Sequence, residues 1–155
     1  MALRSIRVDG DEILRKESKP VDKFDRRLEM LIEDMWDTMY DANGIGLAAV
    51  QVGVLKQVIV IDTGEEDEQL VLINPEIIAM EGNICEAEGC LSIPGKSGYV
   101  NRPETVTVHA LDENGKPYTR TGTGLLARCM CHEIDHLHGI LYTDKTVDAP
   151  EGEKD

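Results

Sequence analysis

The spacing of apolar positions divides the chain into a helix, a series of short strands and a second helix. Phe24, Leu28, Leu31, Ile32, Met35, Trp36 and Met39 recur three and four residues apart, which predicts an amphipathic helix. Asp22 suits its start, because a short carboxylate accepts N–H groups that the first turn leaves unpaired, and Asn43-Gly44 suits its end. Val58 to Ile61, Leu70 to Ile73 and Ile77 to Met80 are short apolar runs between polar turns, with Asn74-Pro75 as a break. Thr105 to Leu111 alternates with period two, and Asp112-Glu113-Asn114-Gly115 is a turn leading to Tyr118. The second helix opens at Thr123 or Gly124 and closes at Gly139, and the tail from Val147 to Asp155 reads as solvated. Helix, antiparallel strands, helix is an α+β order, unlike alternating βαβ units. No repeat, linker or low-complexity tract breaks the pattern. Residues 1–155 therefore read as one domain, a size that buries roughly 70% of the unfolded chain's surface.

Charge narrows the function classes. Sixteen Lys and Arg against thirty Asp and Glu leave a net charge of -14. That balance argues against a non-specific grip on nucleic-acid phosphates, which needs a basic surface. The amino terminus carries no apolar stretch of signal-peptide length, and the mostly apolar Gly44–Leu55 segment is too short to span a bilayer. The chain reads as cytoplasmic, without a membrane role. In a reducing compartment, Cys85, Cys90, Cys129 and Cys131 point to metal or catalysis rather than to disulfides.

His132-Glu133-Ile134-Asp135-His136 carries the strongest local signal. Residues four apart share a helix face, so both imidazoles reach one ion. At about 100° per residue, Leu125, Cys129, His132 and His136 form one stripe, with Glu133 beside it, near enough to act on water without being a ligand. The plain alternative is an exposed helix with two solvated histidines. A catalytic zinc-type centre needs three protein ligands and an open position. Six residues past His136 stands Tyr142, where the metzincin pattern has a third His. The short tail beyond offers only Asp144, Asp148, Glu151 and Glu153, with no further helix. The third ligand is therefore sought upstream. Cys90, in Glu88-Gly89-Cys90-Leu91-Ser92 after a β-type segment, supplies a thiolate suited to zinc or ferrous iron. Cys85 reads as a buried small hydrophobe. In Gly44-Ile45-Gly46-Leu47-Ala48-Ala49-Val50-Gln51, small residues permit close packing, and the Gln51 amide suits a developing oxyanion. By itself such a stretch is usually packing, and it lacks the strand and third glycine of a dinucleotide loop. The C-x-C and C-x4-C spacings are not those of a C-x-x-C redox protein.

Together the three segments closely resemble the peptide deformylase family, whose motifs G-φ-G-φ-A-A-x-Q, E-G-C-φ-S and H-E-φ-D-H (φ apolar) all stand here in order. The resemblance implies a hydrolase that removes the formyl group from the N-terminal formylmethionine of new polypeptides. It implies one divalent metal on Cys90, His132 and His136, ferrous iron, with zinc, nickel or cobalt as alternatives in purified protein. Glu133 is the implied acid/base, with Gln51, the Leu91 N–H and Gly46 completing the catalytic group. Ile45, Gly46 and Gly89 would hold an N-formylmethionyl peptide as an added strand. Leu125 and Cys129 would line the methionine pocket, with plain core packing as the alternative. Arg102 would meet substrate carbonyls or carboxylate, or else lie on the surface. A monomer with transient ribosome association belongs to the same expectations, although the long C-terminal extension that some relatives use for docking does not follow the second helix. Cys131 stands where many members have Gln and reads as non-ligating; His109 and Trp36 read as structural. A peptidase using the same helix and a non-catalytic metal module are the competing readings, and the complete set of Gln51, Cys90 and Glu133 counts against both.

Overall fold

The computed structural model describes residues 2–149. The first helix, α1 (Arg26–Asp41), begins a turn later than Asp22 suggests. Asp25 is the residue in extended conformation whose carboxylate accepts the Leu28 N–H, at 3.1 Å. Phe24 consequently lies outside the helix. The far end stops where the sequence indicates: Asn43 turns left-handed at φ 58° and the Gly44 N–H closes on the Met39 carbonyl at 2.9 Å.

Strands β1 (Gly46–Ala48), β2 (Val58–Asp62), β3 (Gln69–Glu81), β6 (Thr105–Leu111) and β7 (Pro117–Thr123) form an antiparallel sheet in the order β1-β2-β3-β6-β7. Strands β4 (Ile84–Cys90), β5 (Ile93–Arg102) and β8 (Thr146–Val147) form a second sheet, β4-β5-β8. The α+β class is as the sequence indicates. The larger sheet is covered on both faces. Val58, Val60, Val71 and Ile73 pack under α1, while Ile59, Ile61, Leu72, Val106 and Val108 pack under the second helix, α2 (Leu125–Leu137). Burial on both sides explains why β2 reads as a continuous apolar run rather than an alternation.

Two strand boundaries differ from the sequence reading. Asn74-Pro75 does not break the chain into two strands; β3 runs through it on a bulge, with the register to β6 slipping between Ile73 and Glu76. A bulge tolerates Pro75, which has no N–H for the ladder. Asn74, at φ 50°, uses its side-chain amide to bind both the N–H and the carbonyl of Val21. The expected solvated tail also starts too early. Thr146 and Val147 pair with Val100 and Tyr99, and residues 150–155 lie outside the described part. Cys85, expected in the core, is only half-buried, and all four cysteines are free.

Candidate metal centre

Helix α2 delivers two of the donors. Gly124 at φ 63° turns the chain from β7 into α2, and Gly139 at φ 73° turns it out again. A Cβ on Gly139 would sit 2.5 Å from the Arg15 carbonyl oxygen, so only glycine fits there. Along α2, His132 and His136 lie one turn apart with ring centroids at 4.9 Å. The third donor ends β4: Cys90 Sγ stands 3.3 Å from His136 Nε2. One donor atom from each of Cys90, His132 and His136 lies within 4.8 Å of the others. A tetrahedral ion with bonds of about 2.3 Å to sulfur and about 2.05 Å to nitrogen holds those ligands roughly 3.5 Å apart, so the cluster has the dimensions of one coordination shell.

Electrostatics favour a cation in the same place. Glu88, two residues before Cys90, is buried beneath His132 and accepts its Nδ1–H at 2.9 Å. This fixes the tautomer and leaves Nε2 as a lone-pair donor. Arg102 grips the same carboxylate with Nε at 2.8 Å and Nη2 at 3.0 Å, and Arg128 adds Nη1 at 2.7 Å. Burial pushes the Glu88 carboxyl up, but His132 and Arg102 overcome it and hold it at about 2. Burial likewise pulls the His132 imidazole down, and hydrogen bonds to Cys90 and Glu88 reverse that, to about 10. The negative groups around this nitrogen thus stabilise positive charge there, whether a proton or a metal ion supplies it. His136, buried and beside His132, is held well below its ordinary value and is therefore neutral, the form in which an imidazole can coordinate an ion.

Glu133 faces the cluster from the neighbouring position. Its Oε1 is buried with no hydrogen-bond partner among the described residues, and burial raises the carboxyl to about 7. The opposite wall is β1. A Cβ on Gly46 would stand 2.7 Å from Cys129 Sγ and 2.8 Å from Glu133 Oε2, so the glycine lets the strand lie against α2. Gln51 follows in a 3-10 turn, Ala49–Val52. Its Oε1 accepts the Ala48 N–H at 2.9 Å, which turns its NH2 toward Ser92 Oγ at 3.1 Å and Cys90 Sγ at 3.7 Å.

Gln51, Glu88, Cys90, His132 and Glu133 line a cavity of about 530 Å³ that also takes in Ile45, Gly46, Gly89, Leu91, Leu125 and Cys129, with His136 buried behind it. Ile45 and Leu125 are exposed at its rim, and Cys129 is buried in its wall. Cys131 is buried outside the donor cluster. Arg102 requires a correction. It is not a surface residue: it is 3% exposed, outside the lining of this cavity, and engaged by Glu88 and by Asp135, the latter at 2.7 Å. The Glu88–Arg102–Asp135–Arg128 network is what the sequence reading missed. Its signal was there for one of the two histidines: a ligand-type histidine needs a buried acceptor for its other ring nitrogen, and Glu88 stands inside the E-G-C motif. Asp135, by contrast, engages Arg102 and Lys145, and His136 Nδ1 has no partner among the described residues.

The family model for polypeptide deformylase matches residues 3–151. A peptide deformylase of Alkaliphilus metalliredigens is 58% identical over 147 residues, covering 95% of this chain and 99% of that one. The crystal structure of a Legionella pneumophila peptide deformylase superposes with a TM-score of 0.91 at 53% identity, over 94% of this chain and 87% of that one. A Synechococcus elongatus peptide deformylase, solved in complex with actinonin, gives 0.88 at 48% identity, over 92% and 78%. Whole-length identity of this order, on a fold that gathers Cys90, His132 and His136, leaves one assignment: the chain belongs to the peptide deformylase family of metal-dependent hydrolases.

Proposed function

We infer that the cavity is a deformylase active site, in which Cys90, His132 and His136 hold one divalent ion and Glu133 moves the proton. The chain removes the formyl group from an N-terminal formylmethionine and releases formate. The observation that carries the reading is the three-donor cluster beside a buried carboxylate oxygen, at the base of an open cavity. An ion there supplies Lewis acidity to water and to the formyl oxygen. Glu133, poised near neutrality, accepts the proton of the attacking water and returns it to the departing amine. The Gln51 amide, aimed at Cys90, and the Leu91 N–H, next to it in the chain, stabilise the charge growing on the formyl oxygen. Thiolate with two imidazoles suits first-row transition ions rather than magnesium or calcium; ferrous iron is the ion this reading assigns, by resemblance.

Sheet topology supports the mode of substrate binding. β1 and β4 are both outer strands, and the cavity lies between residues of the two. An extended peptide laid there pairs with main-chain groups near Ile45, Gly46 and Gly89. The Ile45 carbonyl is already taken by the Asp62 N–H at 2.8 Å. Leu125 and Cys129 offer the apolar wall for methionine. All these groups come from one chain, so the reading needs no second subunit. No described helix is long and apolar enough to cross a membrane; this reading assigns the work to the cytoplasm because its substrate comes from translation.

The test is formate release from a formyl-Met peptide, measured before chelation, after it, and after adding back ferrous, nickel or zinc ions. Loss and recovery of activity are expected. Unimpaired turnover in the chelated protein refutes the metal assignment, and comparable cleavage of unblocked peptides refutes the substrate.

A further inference from the structure

A second concavity, of about 520 Å³, lies on the α1 side of the larger sheet, remote from the metal centre on the α2 side. Glu29, Ile32, Glu33, Trp36 and Tyr40 form one wall as a single stripe along α1, and Gln69 and Val71 of β3 and Glu113 of the β6–β7 turn form the other. Three features make it more than an acidic surface. Trp36 and Tyr40 stack with centroids 5.8 Å apart, presenting an aromatic face. Tyr40 is pinned by donating its hydroxyl to Asp62 at 2.7 Å, and Gln69 holds the same carboxylate at 3.1 Å, so the aromatic wall is fixed before anything binds. The floor, Ile32 and Val71, is apolar and buried. Arg26 pairs with Glu29 at 2.9 Å and reaches Glu33 at only 3.9 Å. These pairs are exposed and therefore weak, and an incoming cation displaces them readily.

We propose that this groove docks an arginine-bearing segment of a basic partner protein. The apolar floor accommodates the aliphatic stem of arginine, the Trp36–Tyr40 face attracts a guanidinium by cation–π interaction, and Glu33 and Glu113 neutralise it. A chain of net charge -14 draws such a segment in from a distance, and the groove gives it a place to stop.

Trp36 is the one tryptophan in the sequence, so its fluorescence reports on the groove directly. Titration of the metal-loaded protein with acetyl-Arg-Arg-Arg-amide should change the emission saturably, whereas acetyl-Glu-Glu-Glu-amide should not, and the lysine tripeptide should bind more weakly. Glu33→Gln and Glu113→Gln should each weaken arginine binding by about two- to five-fold, the worth of one exposed ion pair or cation–π contact. Glu81→Gln removes an exposed carboxylate outside the groove, at the end of β3, and should have almost no effect. Calorimetry should show weaker binding to Trp36→Leu, with formate release unchanged as proof of folding; the two Glu variants decide the matter should that protein misfold. The proposal is overturned if emission does not saturate, if Glu81→Gln weakens binding as much as Glu33→Gln, or if the lysine tripeptide binds equally well.

Discussion

Replacing Glu88 by Gln tests the support beneath the metal centre without touching a ligand. The carboxylate is 6% exposed and receives four hydrogen bonds, from His132 Nδ1, Arg102 Nε and Nη2, and Arg128 Nη1. Gln keeps the volume and one acceptor oxygen, but its NH2 then faces guanidinium donors, Arg128 loses its carboxylate partner and Arg102 loses one of two. Removing one partner of a buried ion pair costs about 3–5 kcal/mol. Arg102 retains Asp135, and Arg128 retains the carbonyls of Val100 and Ile84, so the loss should stay within that range. For a domain of this size each kcal/mol lowers Tm by about 2–4 °C, which gives a drop of roughly 6–20 °C. Metal affinity should fall about 10- to 100-fold as His132 loses its orienting acceptor. Differential scanning calorimetry with and without metal, and titration against a coloured chelator, measure the two effects separately. A Tm within about 2 °C of wild type, with unaltered metal affinity, would show that Glu88 neither holds the fold nor orients the histidine.

Glu133→Gln should lower formate release by about 10² to 10⁴ with metal content unchanged; loss of both together would make Glu133 a support of the site rather than its base. Cys90→Ala should abolish tight metal binding, while Cys131→Ala should retain it, as elemental analysis of anaerobically prepared protein will show. Gly46→Ala should cut turnover sharply, because the added methyl meets Cys129 Sγ and Glu133 Oε2 below 3 Å; wild-type kcat in that variant would mean that the strand yields without disturbing the base.

Helix α1 and β6 were legible because one face of each is buried and the other more open, which writes a period into the sequence, whereas α2 is buried nearly all round. Helix α2 was legible for its chemistry, since two histidines at i and i+4 have one geometric consequence. The start of α1 was misplaced because Asp22 and Asp25 are equivalent caps on paper, and only the packing of Leu28 selects between them. Asn74-Pro75 looked like a break because local chemistry cannot show that β6 waits opposite to carry a bulge. Arg102 was misread for a related reason. A charged residue defaults to the surface, and its burial depends on Glu88 and Asp135 converging from β4 and α2, a tertiary fact. The β8 pairing, two residues long, leaves no periodic trace at all.

The two outer strands that border the cavity also set a clock. A gap between sheet edges accepts a backbone that is stretched out and has its N–H and carbonyl groups unengaged. A formylated terminus already wound into a helix, or already paired within its own sheet, has neither property. On the added-strand mode of binding proposed above, deformylation competes with the folding of its own substrates. Proteins whose first residues collapse early should keep more of their formyl groups, in proportion to how quickly those residues become structured.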